Sequence, residues 1–188
     1  GAGIFISAGS NINLNKSTIA SNMVGEGDTF GAGIYADGGT AALVNSIVYY
    51  NRREGDYDIN YNLNGYTMDI LNEYTVSYSD IEGDENWIPE GVGNLSITPE
   101  VNDFENGDFT LQDGSPCIDA GTADTDGDGY EDITDYLGSA PDMGAFEYEG
   151  DDECGVELAD VTGDGQINVL DLVQISYYVL ELSTPAYP

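Results

Sequence analysis

GAGIF at Gly1–Phe5 returns as GAGIY at Gly31–Tyr35, and NKSTIASN at Asn15–Asn22 returns as VNSIVYYN at Val44–Asn51. Gly3 is matched by Gly33, Ile19 by Ile47 and Asn22 by Asn51. The slightly variable period of roughly 30 residues marks stacked supersecondary units. Within each unit apolar residues alternate over short stretches, as in Ile12-Asn13-Leu14, which is a strand period. Gly and Asn punctuate the bends. The pattern predicts a mainly β chain built as coils of a solenoid, each stacked on the next at the strand spacing of about 4.8 Å, with Asn22 and Asn51 laddered inside a bend. Glu73–Gly83, EYTVSYSDIEG, alternates Tyr74, Val76 and Tyr78 and reads as part of a further coil. An antiparallel sandwich is the competing reading, and it predicts hairpin turns in place of a coil-length offset.

Charge narrows the function. The 188 residues hold 36 Asp+Glu against 3 Lys+Arg, a formal charge of −33. Such a polyanion lacks the basic footprint that phosphate recognition needs, which excludes nucleic acid as a partner, and an anionic membrane surface repels it too. No apolar run approaches the roughly 18 residues of a membrane span. There is no histidine, so His-based triads, His general bases and His-ligated zinc are ruled out. The 40% hydrophobic content and 14 tyrosines still suffice for a packed core. Gly1 opens directly on the repeat without a basic leader, as expected of a mature or excised piece. Cys117 and Cys154 form no CxxC pair; one bridge between them and two separate thiols are both compatible with that spacing.

Lys16, Arg52 and Arg53 all fall at or before position 53, so the remainder of the chain carries 33 carboxylates without a side-chain cation. Self-repulsion on that scale opposes compaction. Bound divalent ions, a saline habitat or dispersal of charge over a wetted surface would each relieve it.

Two stretches have the spacing of a cation loop. In DVTGDGQINVLD, Asp160–Asp171, the oxygen-bearing residues Asp160, Thr162, Asp164, Gln166, Asn168 and Asp171 stand at positions 1, 3, 5, 7, 9 and 12, with Gly165 at 6. This is the EF-hand pattern: a hard cation takes six to eight oxygens, and a loop reversing at glycine supplies them from alternate residues, position 7 through its backbone carbonyl. Thr162 replaces a usual Asp or Asn and Asp171 is shorter than the usual Glu, so calcium affinity is expected at the weak, extracellular end, of order 10⁻⁵ to 10⁻³ M. Val169, Leu172, Val173, Ser176, Val179 and Leu180 fit one helix face after the loop, and Ser183-Thr184-Pro185 ends it. In DTDGDGYEDITD, Asp124–Asp135, the same positions hold Asp124, Asp126, Asp128, Tyr130, Asp132 and Asp135, with Gly129 at 6. Here Tyr136–Pro141 breaks at once, so a calcium loop without a helix is expected. The structural alternatives are an acidic helix start for the first loop and an acidic insertion for the second. Asp56-Tyr57-Asp58-Ile59-Asn60 is a weaker fragment with no glycine in place, and Asp103, Asn106 and Asp108 read as a turn bending at Asn106-Gly107.

The coil openings, NSIVYYN, YSDIEG, the run from Gly93 to Thr122 that contains SPCIDAG, and PDMGAFEY at Pro141–Tyr148 together resemble the C-terminal end of secreted bacterial right-handed parallel β-helix proteins of the pectate-lyase-like superfamily. The resemblance covers most of residues 1–149 and implies a secreted or cell-surface protein, with an irregular acidic cap closing the last coils. A loop and exiting helix without an entering helix is similar to a single dockerin repeat, here 160–188 after a linker at 150–159. Dockerins pair two repeats, and only one is present.

Lyases of this fold use a basic residue beside a calcium-bound uronate, and the sequence offers Arg52-Arg53 for that role or, as the structural alternative, for offsetting Glu54 and Asp56. Glycosidases need two carboxylates, which 36 candidates do not single out. Tyr49 and Tyr50 are expected to pack at a strand end, and Trp87 is the aromatic to test for a surface role. The expectation is therefore a non-catalytic, calcium-stabilised structural or adhesive module, self-associating head to tail through its open first coil and C-terminal tail, with a polysaccharide or cell-surface partner. The alternative is the C-terminal fragment of a polysaccharide-degrading enzyme.

Overall fold

The computed structural model describes residues 3–26, 32–54, 63–65, 74–83 and 90–150, with 63–65 described by backbone alone. The chain divides into two units, Gly1–Tyr148 and Glu149–Pro188. The described residues are mainly β, with no helix among them. The first repeat supplies β1 (Ile4–Ser7), β2 (Asn11–Asn15), β3 (Thr18–Ala20) and β4 (Met23–Val24); the second supplies β5 (Ile34–Asp37), β6 (Thr40–Val44), β7 (Ile47–Tyr49) and β8 (Arg52–Arg53). After them come β9 (Leu63–Gly65), β10 (Tyr74–Ser77), β11 (Asp80–Ile81), β12 (Val101–Asp103) and β13 (Asp108–Leu111).

Each strand of the first repeat pairs parallel with its equivalent in the second: Ile4 lies opposite Ile34, Ile12 opposite Ala41, Ile19 opposite Val48 and Met23 opposite Arg52. Parallel neighbours cannot be joined by a tight turn, and here the connection is the rest of the repeat. β9, β10 and β11 extend three of these sheets, placing Leu63 on Ile34, Tyr74 on Ala41 and Asp80 on Ile47. Among the described strands the antiparallel pair is β12 with β13, which bends at Asn106-Gly107 as expected, with Gly107 at φ +80°. The sandwich reading fails on this parallel pairing.

One expected match is corrected. Ile19 pairs with Val48, one position beyond Ile47, and Ile47 pairs with Thr18. A one-residue slip moves a side chain to the opposite face of a sheet, and the difference is visible in the packing. Ile19, Val48 and Ile81 belong to the inner core, together with the columns Ile12–Ala41–Tyr74 and Leu14–Leu43–Val76. Ile47 points the other way, into a second cluster with Val101, Leu111, Cys117 and Met143. Small Ala41 leaves room for the ring of Tyr74, whose hydroxyl donates to the Ile34 carbonyl at 3.2 Å.

The corners repeat as faithfully as the strands. Lys16, Asn45 and Tyr78 take left-handed φ of 46°, 51° and 47°, and Ser21 and Tyr50 take 57° and 58°. Tyr78 therefore leaves the alternation begun by Tyr74 and Val76 and packs against the second cluster. Behind the first corner runs a serine ladder: Ser17 N–H donates to Ser46 Oγ at 3.3 Å and Ser46 N–H to Ser79 Oγ at 3.0 Å. Behind the second, the expected asparagine ladder is present. Asn22 Nδ2 donates to Asn51 Oδ1 at 2.9 Å, while the buried Asn51 Nδ2 donates to the Ile19 carbonyl at 2.9 Å.

Residues 95–148 cover the outer face of the β3–β7–β11 sheet. SPCIDAG and PDMGAFEY meet there: Met143 N–H donates to the Cys117 carbonyl at 3.0 Å and Gly121 N–H to the Pro141 carbonyl at 2.8 Å. The Asn45 amide clamps the cover, accepting from Thr122 N–H at 2.7 Å and donating to the Thr122 carbonyl at 2.8 Å. Gly144, at φ +103°, passes so close that a Cβ would lie 2.8 Å from Ile47 Cδ1. Cys117 is a free, buried thiol, and Cys154 lies outside the described residues.

Candidate metal centre

The loop that begins at Asp124 grows out of this cover. Its neck is closed by the Ala123 carbonyl, which accepts from Asp132 N–H at 2.8 Å and Ile133 N–H at 3.1 Å, and Ile133 is the buried anchor beneath it. Gly127 and Gly129 adopt φ of +79° and +91°, the left-handed region open to glycine. The chain therefore winds around the position-1 carboxylate. Asp124 Oδ1 accepts from Gly127 N–H at 2.7 Å and Asp128 N–H at 3.2 Å, and Oδ2 accepts from Gly129 N–H at 2.8 Å.

This winding brings Asp124, Asp126 and Asp128 together, with one carboxylate oxygen of each within 4.8 Å of the others. Their free valences suit a hard cation. Two carboxylate oxygens offer about four lone-pair positions, of which Asp124 commits three. Asp126 Oδ1 accepts from Asp128 N–H at 3.1 Å and Asp128 Oδ1 from Tyr130 N–H at 2.9 Å, while the second oxygen of each accepts no hydrogen bond from the described residues. The donor set is all oxygen, the ligand type that hard cations take.

The other expected ligands divide. Asp132 is turned onto Thr125, accepting from its N–H at 2.9 Å and its hydroxyl at 2.6 Å, and the Thr125 hydroxyl holds its carboxyl below the usual range. Asp135 is exposed and stands outside the triad. Tyr130 offers position 7 through its backbone, and its ring is exposed. The loop at Asp160, Thr162, Asp164, Gln166, Asn168 and Asp171 lies outside the described residues, as do Asp56–Asn60, Trp87 and Cys154.

The scarce cations are engaged at seams. Lys16 Nζ, on the first corner, pairs with Glu147 Oε1 of PDMGAFEY. Arg52 pairs with Glu82 through both terminal nitrogens and lies 4.7 Å from the Tyr50 ring centroid. The Glu82 hydrogen bond raises the guanidinium pKa above its ordinary value, so Arg52 offsets Glu82 and has no lone pair to serve as a base. Tyr49 stacks on Phe104 with ring centroids 5.9 Å apart, the packing role expected of it.

Sequence reasoning missed two buried carboxyls. Asp142 is held by Asp119 N–H at 2.8 Å and Tyr148 N–H at 2.5 Å, and burial still raises its pKa. Asp80 lies on β11 in the outward column Thr18–Ile47–Asp80, fully buried. Its Oδ1 accepts from Ile97 N–H at 3.1 Å and the Cys117 thiol donates to Oδ2 at 3.6 Å. Burial pushes its pKa up to about 7. The signal that would have found Asp80 is Ile47: an apolar residue at the equivalent outward position one repeat earlier implies a covered face.

No family model, curated protein or solved structure matches this chain.

Proposed function

We propose that residues 1–149 are the closing end of a right-handed parallel β-helix, and that the protein is a non-catalytic extracellular module, structural or adhesive, whose acidic cover is stabilised by calcium. Parallel pairing of each strand with its equivalent one repeat further along the chain supports the helix reading. The observation that carries the calcium reading is the preorganised triad Asp124, Asp126 and Asp128, with one carboxylate oxygen on each of the last two left without a donor among the described residues. A cation bound there favours the folded loop by mass action. The loop at Asp160–Asp171 is the second site of the proposal, on its EF-hand spacing.

Calorimetric titration of calcium into chelator-stripped protein tests this. Two equivalents are expected, with Asp128→Ala and Asp164→Ala each removing one. Heat that is unchanged in both variants, or that sodium chloride reproduces, refutes it.

Head-to-tail association is the finer part of the proposal. It is supported by the edge positions of β1, β2 and β3 in their sheets, since such edges invite pairing. At the far edge Leu95 already bridges Asp80; the C-terminal tail, the other half of the proposed contact, lies outside the described residues. A molecular mass that stays monomeric over a concentration series excludes it.

A further inference from the structure

Asp80 sits at the seam between the β3–β7–β11 sheet and its cover, and the groups around it leave a negative charge there without compensation. From β7 come Ile47 and, further along, the Tyr49 hydroxyl; from the neighbouring segment, Leu95 and Ile97; from the cover, Cys117, Met143 and, behind Cys117, Asp142. The charge that acts on Asp80 is that of Glu82, which has the same sign. Lys16 and Arg52 are engaged by Glu147 and Glu82. One backbone N–H and one thiol do not replace the hydration of an ionised carboxylate, whose burial without a partner is costly. A neutral carboxylic acid, by contrast, fits the site.

We infer that Asp80 is a proton-dependent latch: the cover closes over its neutral carboxyl, and loss of that proton favours opening of the seam and uncovers the Cys117 thiol. The sign follows from linkage. Burial raises the closed-state pKa to about 7, whereas an exposed aspartate ionises near 3.9. Between these limits the closed state holds one more proton than the open state. Closure is therefore strongest at low pH and weakens about tenfold per pH unit until the closed state also ionises near neutrality. Above that point the dependence ends.

The test is the rate at which dithiodipyridine labels Cys117 in the full chain from pH 5 to 8, at fixed calcium and ionic strength. The modified residue is identified by peptide mass, and each rate is divided by that of a small-molecule thiol under the same conditions. Wild type relative to Asp80→Asn is expected to rise about 50-fold between pH 5 and 7 and to level off near about 100-fold by pH 8, because the amide still accepts from Ile97 N–H and carries no titrating proton. A ratio flat across that range overturns the latch. Should Asp80→Asn fail to fold, carbon-13 NMR of the wild-type carboxyl decides: titration near neutrality supports the latch, and titration near the ordinary aspartate value overturns it.

Discussion

Truncating Asn51 to alanine removes the centre of the asparagine ladder, and the cost can be built from its bonds. Asn51 Nδ2 donates to the Ile19 and Tyr49 carbonyls at 2.9 and 3.2 Å, and Oδ1 accepts from Asn22 N–H and Nδ2 at 3.1 and 2.9 Å. A hydrogen bond contributes about 1 kcal/mol net, but a buried group left without a partner costs about 1 to 3 kcal/mol. Asn51 is fully buried and its bond to Ile19 lies in the interior, whereas Asn22, on the edge repeat, is only partly buried and can turn to water. Asn51→Ala is therefore expected to cost about 3 to 4 kcal/mol. Asn22→Ala should cost about 1 kcal/mol, because Asn51 Oδ1 keeps the Asn22 N–H. Urea unfolding at saturating calcium measures both: at an m of about 2 kcal/mol/M the first variant loses about 1.5 to 2 M in midpoint and the second about 0.5 M. Equal losses, or a loss below about 1 kcal/mol at Asn51, would refute the ladder as a buried polar spine.

Calcium at about 100 times Kd should stabilise the unit that carries the Asp124 loop by about 2.7 kcal/mol, a rise of roughly 5 to 10 °C in melting temperature; Asp124→Ala should abolish the rise, and magnesium, which demands octahedral geometry, should not reproduce it in a calorimetric scan. Lys16→Met breaks the pair with Glu147 and should cost about 1 kcal/mol, a difference from wild type that shrinks in concentrated salt when followed by urea midpoint. Gly144→Ala puts a Cβ at φ +103° against Ile47 Cδ1 and Thr18 Oγ1; a loss above about 2 kcal/mol is expected, with faster hydrogen exchange at Met143 N–H.

The repeat was legible because equivalent residues take equivalent places in the parallel pairing: Gly3 and Gly33 each precede a paired isoleucine, and Asn22 and Asn51 meet in one ladder. The register error at Ile19 has the same root. Ile47 and Val48 are both apolar and both buried, one on each face, so hydropathy alone cannot choose which of them faces Ile19. The aligned serines Ser17, Ser46 and Ser79 would have chosen, since their corner bonds require Thr18 to meet Ile47. The cover was harder to read. SPCIDAG and PDMGAFEY are joined by backbone bonds, by the Asp142 carboxyl accepting from Asp119 N–H and by Cys117 and Met143 sharing one apolar cluster, none of which has a periodic signature, and Asp80 looks like any of the acidic residues that face water. In the Asp124 loop the alternating aspartates and the glycine at position 6 gave the winding, but Asp132 turning onto Thr125 depends on a hydroxyl that no ligand spacing encodes.

A chain this acidic has too few cations to pair its carboxylates, and its described residues compensate with backbone. Asp119 accepts from Ser139 and Ala140 N–H groups, and the Ala140 bond leads the causes that hold its carboxyl below the ordinary range. Asp103 receives Glu105 and Asn106 N–H groups, and Asp142 receives those of Asp119 and Tyr148. Irregular backbone is what makes this available: strands commit their N–H groups to neighbours, whereas turns leave them free to converge on an anion. The acidic residues and the loss of regular structure in residues 95–148 are thus two sides of one solution. That solution has a limit at Asp124, Asp126 and Asp128, where three carboxylates converge and the amides of a single loop leave oxygens on Asp126 and Asp128 unserved. On the exposed Asp126 and Asp128 those oxygens face solvent, and that is where the proposed calcium would bind.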